Sequence, residues 1–198
     1  MSKQEDFINA HADIMTIAAH AKKVGWETIN TNSLQRVMYL MKVLYSFVHE
    51  DENPFAAYHF NISFLGPFSE LIERSLVFLI SSRRLVGDLG GDVTIDSVDG
   101  VDTIPDDKIK WIDTVLLILG KYGENKVFSF IINDPLYDSS VKANISSEIV
   151  CNNESETLSV LENFKLAFEE TLEDTSSISK EEYISLYFDY IFSQIIKA

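Results

Sequence analysis

The chain is short of cysteine, of basic side chains and of long apolar runs, and each shortage excludes something. Cys151 is the only cysteine, which rules out an internal disulfide and any multi-cysteine zinc site and leaves redox chemistry without a second thiol. The longest apolar stretches, such as Ser75 to Ile80 and Val115 to Leu119, fall far short of the roughly 20 residues that span a bilayer. Met1 to Asp6 shows no basic block followed by an apolar one, so no secretory signal is read. A cytoplasmic location without membrane association is expected. On that reading the Asn-x-Ser triplets at Asn61, Asn144 and Asn153 carry no information. The 16 basic side chains face 31 acidic ones, and the net charge of −15 repels phosphate backbones. Direct nucleic-acid binding is therefore expected to be weak or absent.

The familiar templates of catalysis are missing as well. Gly87, Gly90 and Gly91 do not have the spacing of a phosphate-binding loop, and no lysine follows them at the required interval. There is no Gly-x-Ser-x-Gly elbow and no His-Glu-x-x-His zinc helix. His11 and His20 lie nine residues apart on one predicted helix, hence on opposite sides, and cannot share a metal. His49 ends a helix beside acids, His59 sits in a predicted strand, and no activating base is legible near Cys151. Seven aspartates fall between Asp88 and Asp107, but they lack the order of an EF-hand loop and its distal glutamate. No catalytic, cofactor-binding or metal-ligating residue is assigned, and a non-enzymatic protein is expected.

What is present is a chain of 198 residues, 46% hydrophobic, long enough to bury a substantial core. Apolar spacing predicts a helix from Glu5 to Val24, ended by Gly25, and a second from Ser33 to His49, with Thr31, Asn32 or Ser33 as its cap. Tyr58 to Phe64 alternates, which predicts a strand with Tyr58, Phe60, Ile62 and Phe64 on one side, terminated by Gly66-Pro67. Phe68 to Ser82 returns to helical spacing. Two β-prone runs, Arg84 to Asp88 and Asp92 to Val98, flank Gly90-Gly91 and predict a hairpin.

Helix, helix, strand, helix and hairpin is the element order of a winged-helix domain. Beyond it, helices are predicted from Pro105 to Leu119, over Lys126 to Ile132, from Glu154 to Leu172 and from Lys180 to Ile196, the last with a capping box at Ser179 and Glu182. Residues 134 to 153 read as an irregular connection. The expected fold is mainly α (α+β): a winged-helix-like half over residues 1–104 with a short β-hairpin wing, and a helical half over 105–198, packed as one continuous unit.

Charge and aromatic content locate the candidate partner surfaces. A DNA-reading wing carries Arg and Lys, whereas this one is Asp-rich and the third helix offers chiefly Arg74, Arg83 and Arg84. The predicted partner-binding residues are the Arg83-Arg84 pair, Asp96, Asp99 and Asp102 on the wing, and Tyr183, Tyr187 and Tyr190 on the last helix, tyrosine being enriched at interface cores.

Three stretches also carry a family resemblance: Asn32-Ser33-Leu34-Gln35-Arg36-Val37-Met38-Tyr39-Leu40, the run from Tyr58 through Gly66-Pro67-Phe68-Ser69, and Leu76 to Val86. Together they resemble a helix, strand and helix core with a Gly-Pro-aromatic-Ser signature, found in the middle components of prokaryotic three-component ABC-ATPase systems, including Lamassu-type defence systems. They are also similar to Panacea-type antitoxin and adaptor domains. The resemblance covers about residues 30 to 100. The first family implies a small non-enzymatic subunit bridging an SMC-like ATPase subunit and a nuclease or other effector subunit, in defence against phage or plasmids. The second implies toxin neutralisation or delivery to a protease. A winged-helix DNA-binding regulator is the third expectation, and in none of them is a cofactor implied.

Overall fold

The computed structural model describes residues 3–95, 104–143, 148–152, 154–172 and 174–195. Helix α1 (Lys3–Ala21) runs into a single 3-10 turn at Lys22–Val24, and Gly25 closes it in the left-handed region, φ 87°, giving its N–H to the Lys22 carbonyl. After β1 (Ile29–Asn30) the chain enters α2 (Thr31–Val48). The cap of α2 is Asn30, one residue before the predicted candidates: its backbone is extended and its side chain accepts from the Asn32 N–H at 3.0 Å. Thr31 is engaged elsewhere, its N–H on the Gly91 carbonyl and its hydroxyl accepting from the Gly90 N–H.

The predicted strand over Tyr58 to Phe64 is shorter, and it does not end at Gly66-Pro67. β2 (Phe60–Ser63) reverses at Phe64-Leu65 and pairs with β3 (Gly66–Phe68). Gly66, at φ 109°, supplies the backbone that this two-residue connection needs, and the Ser63 hydroxyl donates to the Gly66 carbonyl at 2.6 Å. Alternation therefore fails at its last member: Tyr58 and Phe60 are buried, whereas Phe64 is 99% exposed. Helix α3 (Glu70–Ser81) follows, burying Ile72, Leu76 and Leu79.

A second hairpin, β4 (Leu85–Gly87) and β5 (Asp92–Ile95), folds back so that β5 also pairs with β1, giving an antiparallel sheet in the order β1-β5-β4. Gly87 is required there. It sits at φ 141°, and a Cβ on it would lie 2.2 Å from the Asp92 carbonyl oxygen.

The remainder is α4 (Asp106–Gly120), α5 (Glu124–Ile131), α6 (Pro135–Lys142), β6 (Glu148–Ile149), α7 (Glu156–Glu169) and α8 (Lys180–Ile195). Residues 134–153 are thus not merely irregular. Asp134 caps α6 by accepting from the Tyr137 N–H, Pro135 opens the helix, and β6 joins β2 to make a second antiparallel sheet, β3-β2-β6. The capping box at α8 forms as read: the Ser179 N–H donates to the Glu182 carboxylate at 2.7 Å, and the Glu182 N–H to the Ser179 hydroxyl at 3.2 Å. Among the described residues this makes a mainly helical α+β fold of eight α-helices and two small three-stranded antiparallel sheets.

Helix α2 is the centre of the molecule. Fifteen of its eighteen residues are buried, so its surroundings must cover it on nearly every side. It packs against α4, α5, α7, α8 and β3, and one hydrophobic cluster runs from Ile14 on α1 through Tyr39 and Trp111 to Phe192 on α8. Burying each such side chain is worth about 1.5–3 kcal/mol, and together these contacts fix where the hairpins emerge. No helix among the described residues is long and apolar enough to cross a membrane.

Candidate functional site: a groove between two hairpin tips

The first hairpin places its two turn residues, Phe64 and Leu65, at its tip. Leu65 is half-exposed and Phe64 almost wholly so, yet the turn is held from behind. The Arg36 guanidinium, stacked 4.3 Å from the centre of the Phe128 ring, donates from Nε and Nη2 to the Leu65 carbonyl at 3.2 and 2.9 Å. The Tyr137 hydroxyl donates to the Ser63 carbonyl at 2.8 Å. Burial draws the Arg36 pKa below its usual value, opposed by the nearby Glu124 and Tyr137, and the guanidinium stays charged.

Facing this tip is the turn of the second hairpin, where Leu89 is 45% exposed. The bonds of Thr31 to Gly90 and Gly91 pin that turn to the start of α2. The floor is equally tied. The Gln35 amide donates to the Ser69 carbonyl at 3.2 Å and accepts from the Ser69 N–H at 2.9 Å, joining α2 to the entry of α3. Between the walls lies a groove of about 430 Å³, lined among others by Phe64, Leu65, Pro67, Leu89, Asn32 and Glu73. Glu73 is the one charged side chain among its lining residues.

Two further polar clusters lie inside the molecule. Asp13 is buried, accepts from Lys108 Nζ at 2.6 Å and from the Tyr58 hydroxyl, and its pKa is raised by burial against the pull of Lys108. Asp134 accepts from the Tyr39 hydroxyl, the Thr157 hydroxyl and the Tyr137 N–H, and burial raises its pKa too. Both carboxylates tie helices together. Burial pushes the Cys151 thiol up to about 11, the opposite of what a nucleophilic thiolate requires. Among the described residues no group of three or more His, Cys, Asp and Glu side chains could hold a metal ion.

The residues read as partner contacts are scattered. Asp96, Asp99 and Asp102 lie outside the described residues. Arg83 is exposed just past α3, in the left-handed region at φ 59°, followed by Arg84. Tyr183 and Tyr187 are both buried, Tyr183 against Phe168 and Tyr187 against Phe130 and Phe164. Tyrosine rings fill the α7–α8 seam because their apolar bodies supply area and their hydroxyls can reach its edge. Tyr190 alone of the three is open, 51% exposed beside Phe164. Alternation puts Phe64 on the same side as Tyr58 and Phe60, so the groove at its ring is not legible from the strand pattern. The available signal was Gly66, a residue suited to a hairpin turn.

No family model, curated protein or solved structure matches the chain.

Proposed function

We propose that this protein works by binding other proteins, with the groove between the hairpin tips as a docking surface. The observation that carries the reading is Phe64: a phenylalanine 99% exposed on a turn whose backbone is clamped by Arg36 and Tyr137. Single exposed apolar residues are ordinary, but here Leu65 and Leu89 join it around one concavity with pre-ordered walls. Further apolar exposure occurs on different elements, at Tyr190 on α8 and at Val160 and Leu166 on α7. A subunit that bridges two partners needs two such surfaces.

The order α1, β1, α2, α3, β4, β5, with β1 paired to β5, supports a winged-helix-like reading of residues 1–104 into which the β2–β3 hairpin is inserted. On that reading α3 stands where a DNA-binding relative would place its recognition helix. Its exposed positions include Val77 and Phe78 beside Arg74, which favours a protein over a phosphate backbone. The resemblance at residues 32–40 and 58–69 takes the proposal one step further, to a non-catalytic middle subunit between an SMC-like ATPase and a nuclease effector in a Lamassu-like defence complex.

Affinity purification of the full chain from its native cell, alongside Phe64→Asp, tests this. We expect a coiled-coil ATPase and an effector to co-purify with the wild type and one of them to be lost from the variant. A toxin or an unfoldase in their place assigns the chain to the antitoxin and adaptor class. Nanomolar duplex binding by the isolated chain at physiological salt, without protein partners, overturns both and leaves a DNA-binding regulator.

A further inference from the structure

We infer that the segment docking in this groove presents an apolar anchor flanked by lysine or arginine, an inference that rests on the docking reading of the same surface. The apolar requirement comes from Phe64, Leu65, Pro67 and Leu89, which offer contact area and no hydrogen-bonding side chain. The charge requirement comes from what surrounds them. Glu73 lines the groove, Asp88 is exposed next to Leu89, and no Lys or Arg is among the lining residues. Arg36 stands behind the wall, with Nε and Nη2 on the Leu65 carbonyl and its face on Phe128, so its charge answers the fold.

The start of α2 also borders the groove, and a helix N-terminus ordinarily favours anions. Here that preference is met internally. The Thr31 N–H donates to Gly91, and the Asn32 N–H to the Asn30 side chain, before any ligand arrives. The one charged group lining the groove is the Glu73 carboxylate, within a molecule of net charge −15, a field that attracts cationic segments and repels acidic ones. Because both hairpin tips are tied down, the segment meets walls that need no ordering.

The test uses a phage-displayed library of random dodecapeptides panned on the immobilised full chain. Enriched sequences are then synthesised with a fluorescent label and titrated by polarisation against wild type, Phe64→Asp, Glu73→Gln and Glu73→Lys. Phe64 contributes nothing to the core, and Glu73→Gln guards against a folding effect of the charge reversal in the first turn of α3; melting curves of all four check this. We expect enriched peptides with an aromatic or aliphatic anchor and a net positive charge. Their Kd rises about tenfold or more in Phe64→Asp and in Glu73→Lys, with Glu73→Gln between, and also rises with added salt. Enrichment of acidic or neutral peptides overturns the inference, as does no enrichment at all. A loss in Phe64→Asp with no response at Glu73 overturns the basic partner and keeps the docking surface. Peptides indifferent to both positions overturn the groove, and the cellular purification then decides the wider reading separately.

Discussion

Asp134 is fully buried with no cation against it among the described residues, and the three groups that point at it all donate. Burial raises its pKa above the ordinary 3.8, while the donors pull it down and lose. A carboxyl raised in the folded state stabilises fully below its unfolded pKa, and that contribution drains away as pH climbs through the folded value. Asn at this position does not titrate. Its amide oxygen can accept from Tyr137 and Tyr39, and its amide nitrogen can donate to the Thr157 hydroxyl, which already accepts from the Leu136 N–H. Urea unfolding of wild type and Asp134→Asn at micromolar concentration, from about pH 4 upward, should show the wild type losing ground as pH climbs through the folded value of the carboxyl and levelling off above it; a difference that does not change with pH contradicts this. Asp134→Ala instead strands the donors, at about 1–3 kcal/mol for each buried group left unsatisfied.

The Asp13–Lys108 pair behaves differently, because its two charges answer each other across α1 and α4. Lys108→Met leaves Asp13 buried with the Tyr58 hydroxyl as its one side-chain donor among the described residues. A loss of about 3–5 kcal/mol is expected, with part of it recovered when Asp13→Asn is added, because the amide oxygen carries no charge and can still accept from the Tyr58 hydroxyl. A double variant as unstable as the single one would refute the pairing argument.

At the scale of elements, stability and legibility follow the same divide between local and distant causes. Helix α8 could be read because its signals are local: the capping box at Ser179 and Glu182 and apolar residues at helical spacing. Ser179→Ala should remove about 1 kcal/mol of stability without altering the unfolding slope in urea. Helix α6 could not be read. Its eight residues, Pro135–Lys142, bury only Leu136 and Tyr137, and its cap, Asp134, is held by Tyr39 and Thr157 from other helices. Strand β6 was illegible for a similar reason, being two residues long and defined by its pairing with β2.

The hairpin was half legible. Tyr58 and Phe60 face inward as alternation predicts, but one turn beyond, the same rule reversed the environment of Phe64. The candidate site fared worse than the fold. Its walls come from four separate segments, and Leu89 lines the groove opposite Phe64 through the docking of Gly90 and Gly91 on Thr31 and the pairing of β5 with β1. The burial of Tyr183 and Tyr187 is not legible in the sequence, because aromatic load cannot distinguish a partner surface from an internal seam.

At the scale of the whole molecule, α2 belongs to both halves of the chain. Its Leu34, Val37, Met38, Tyr39 and Leu44 are buried, and much of what packs against it follows residue 104. A fragment ending there leaves these side chains open to water. It should retain helical far-UV dichroism while losing near-UV signals and the cooperative urea transition of the full chain. A sharp, wild-type-like transition in the fragment would show instead that the N-terminal half is self-sufficient.

The clamped turn at Phe64 has one more effect, on the behaviour of the protein in concentrated solution. A ring held permanently in water can adhere to another copy as readily as to a partner, and in neutral buffer the like charge of −15 on every molecule holds copies apart. Near the isoelectric point, about 4.5, that repulsion vanishes while the turn stays where Arg36 holds it. Light scattering in a downward pH titration should rise earlier and more steeply for wild type than for Phe64→Ser, which changes neither the charge nor the core. The ring proposed here as a partner's anchor would then be the first point at which the protein clumps.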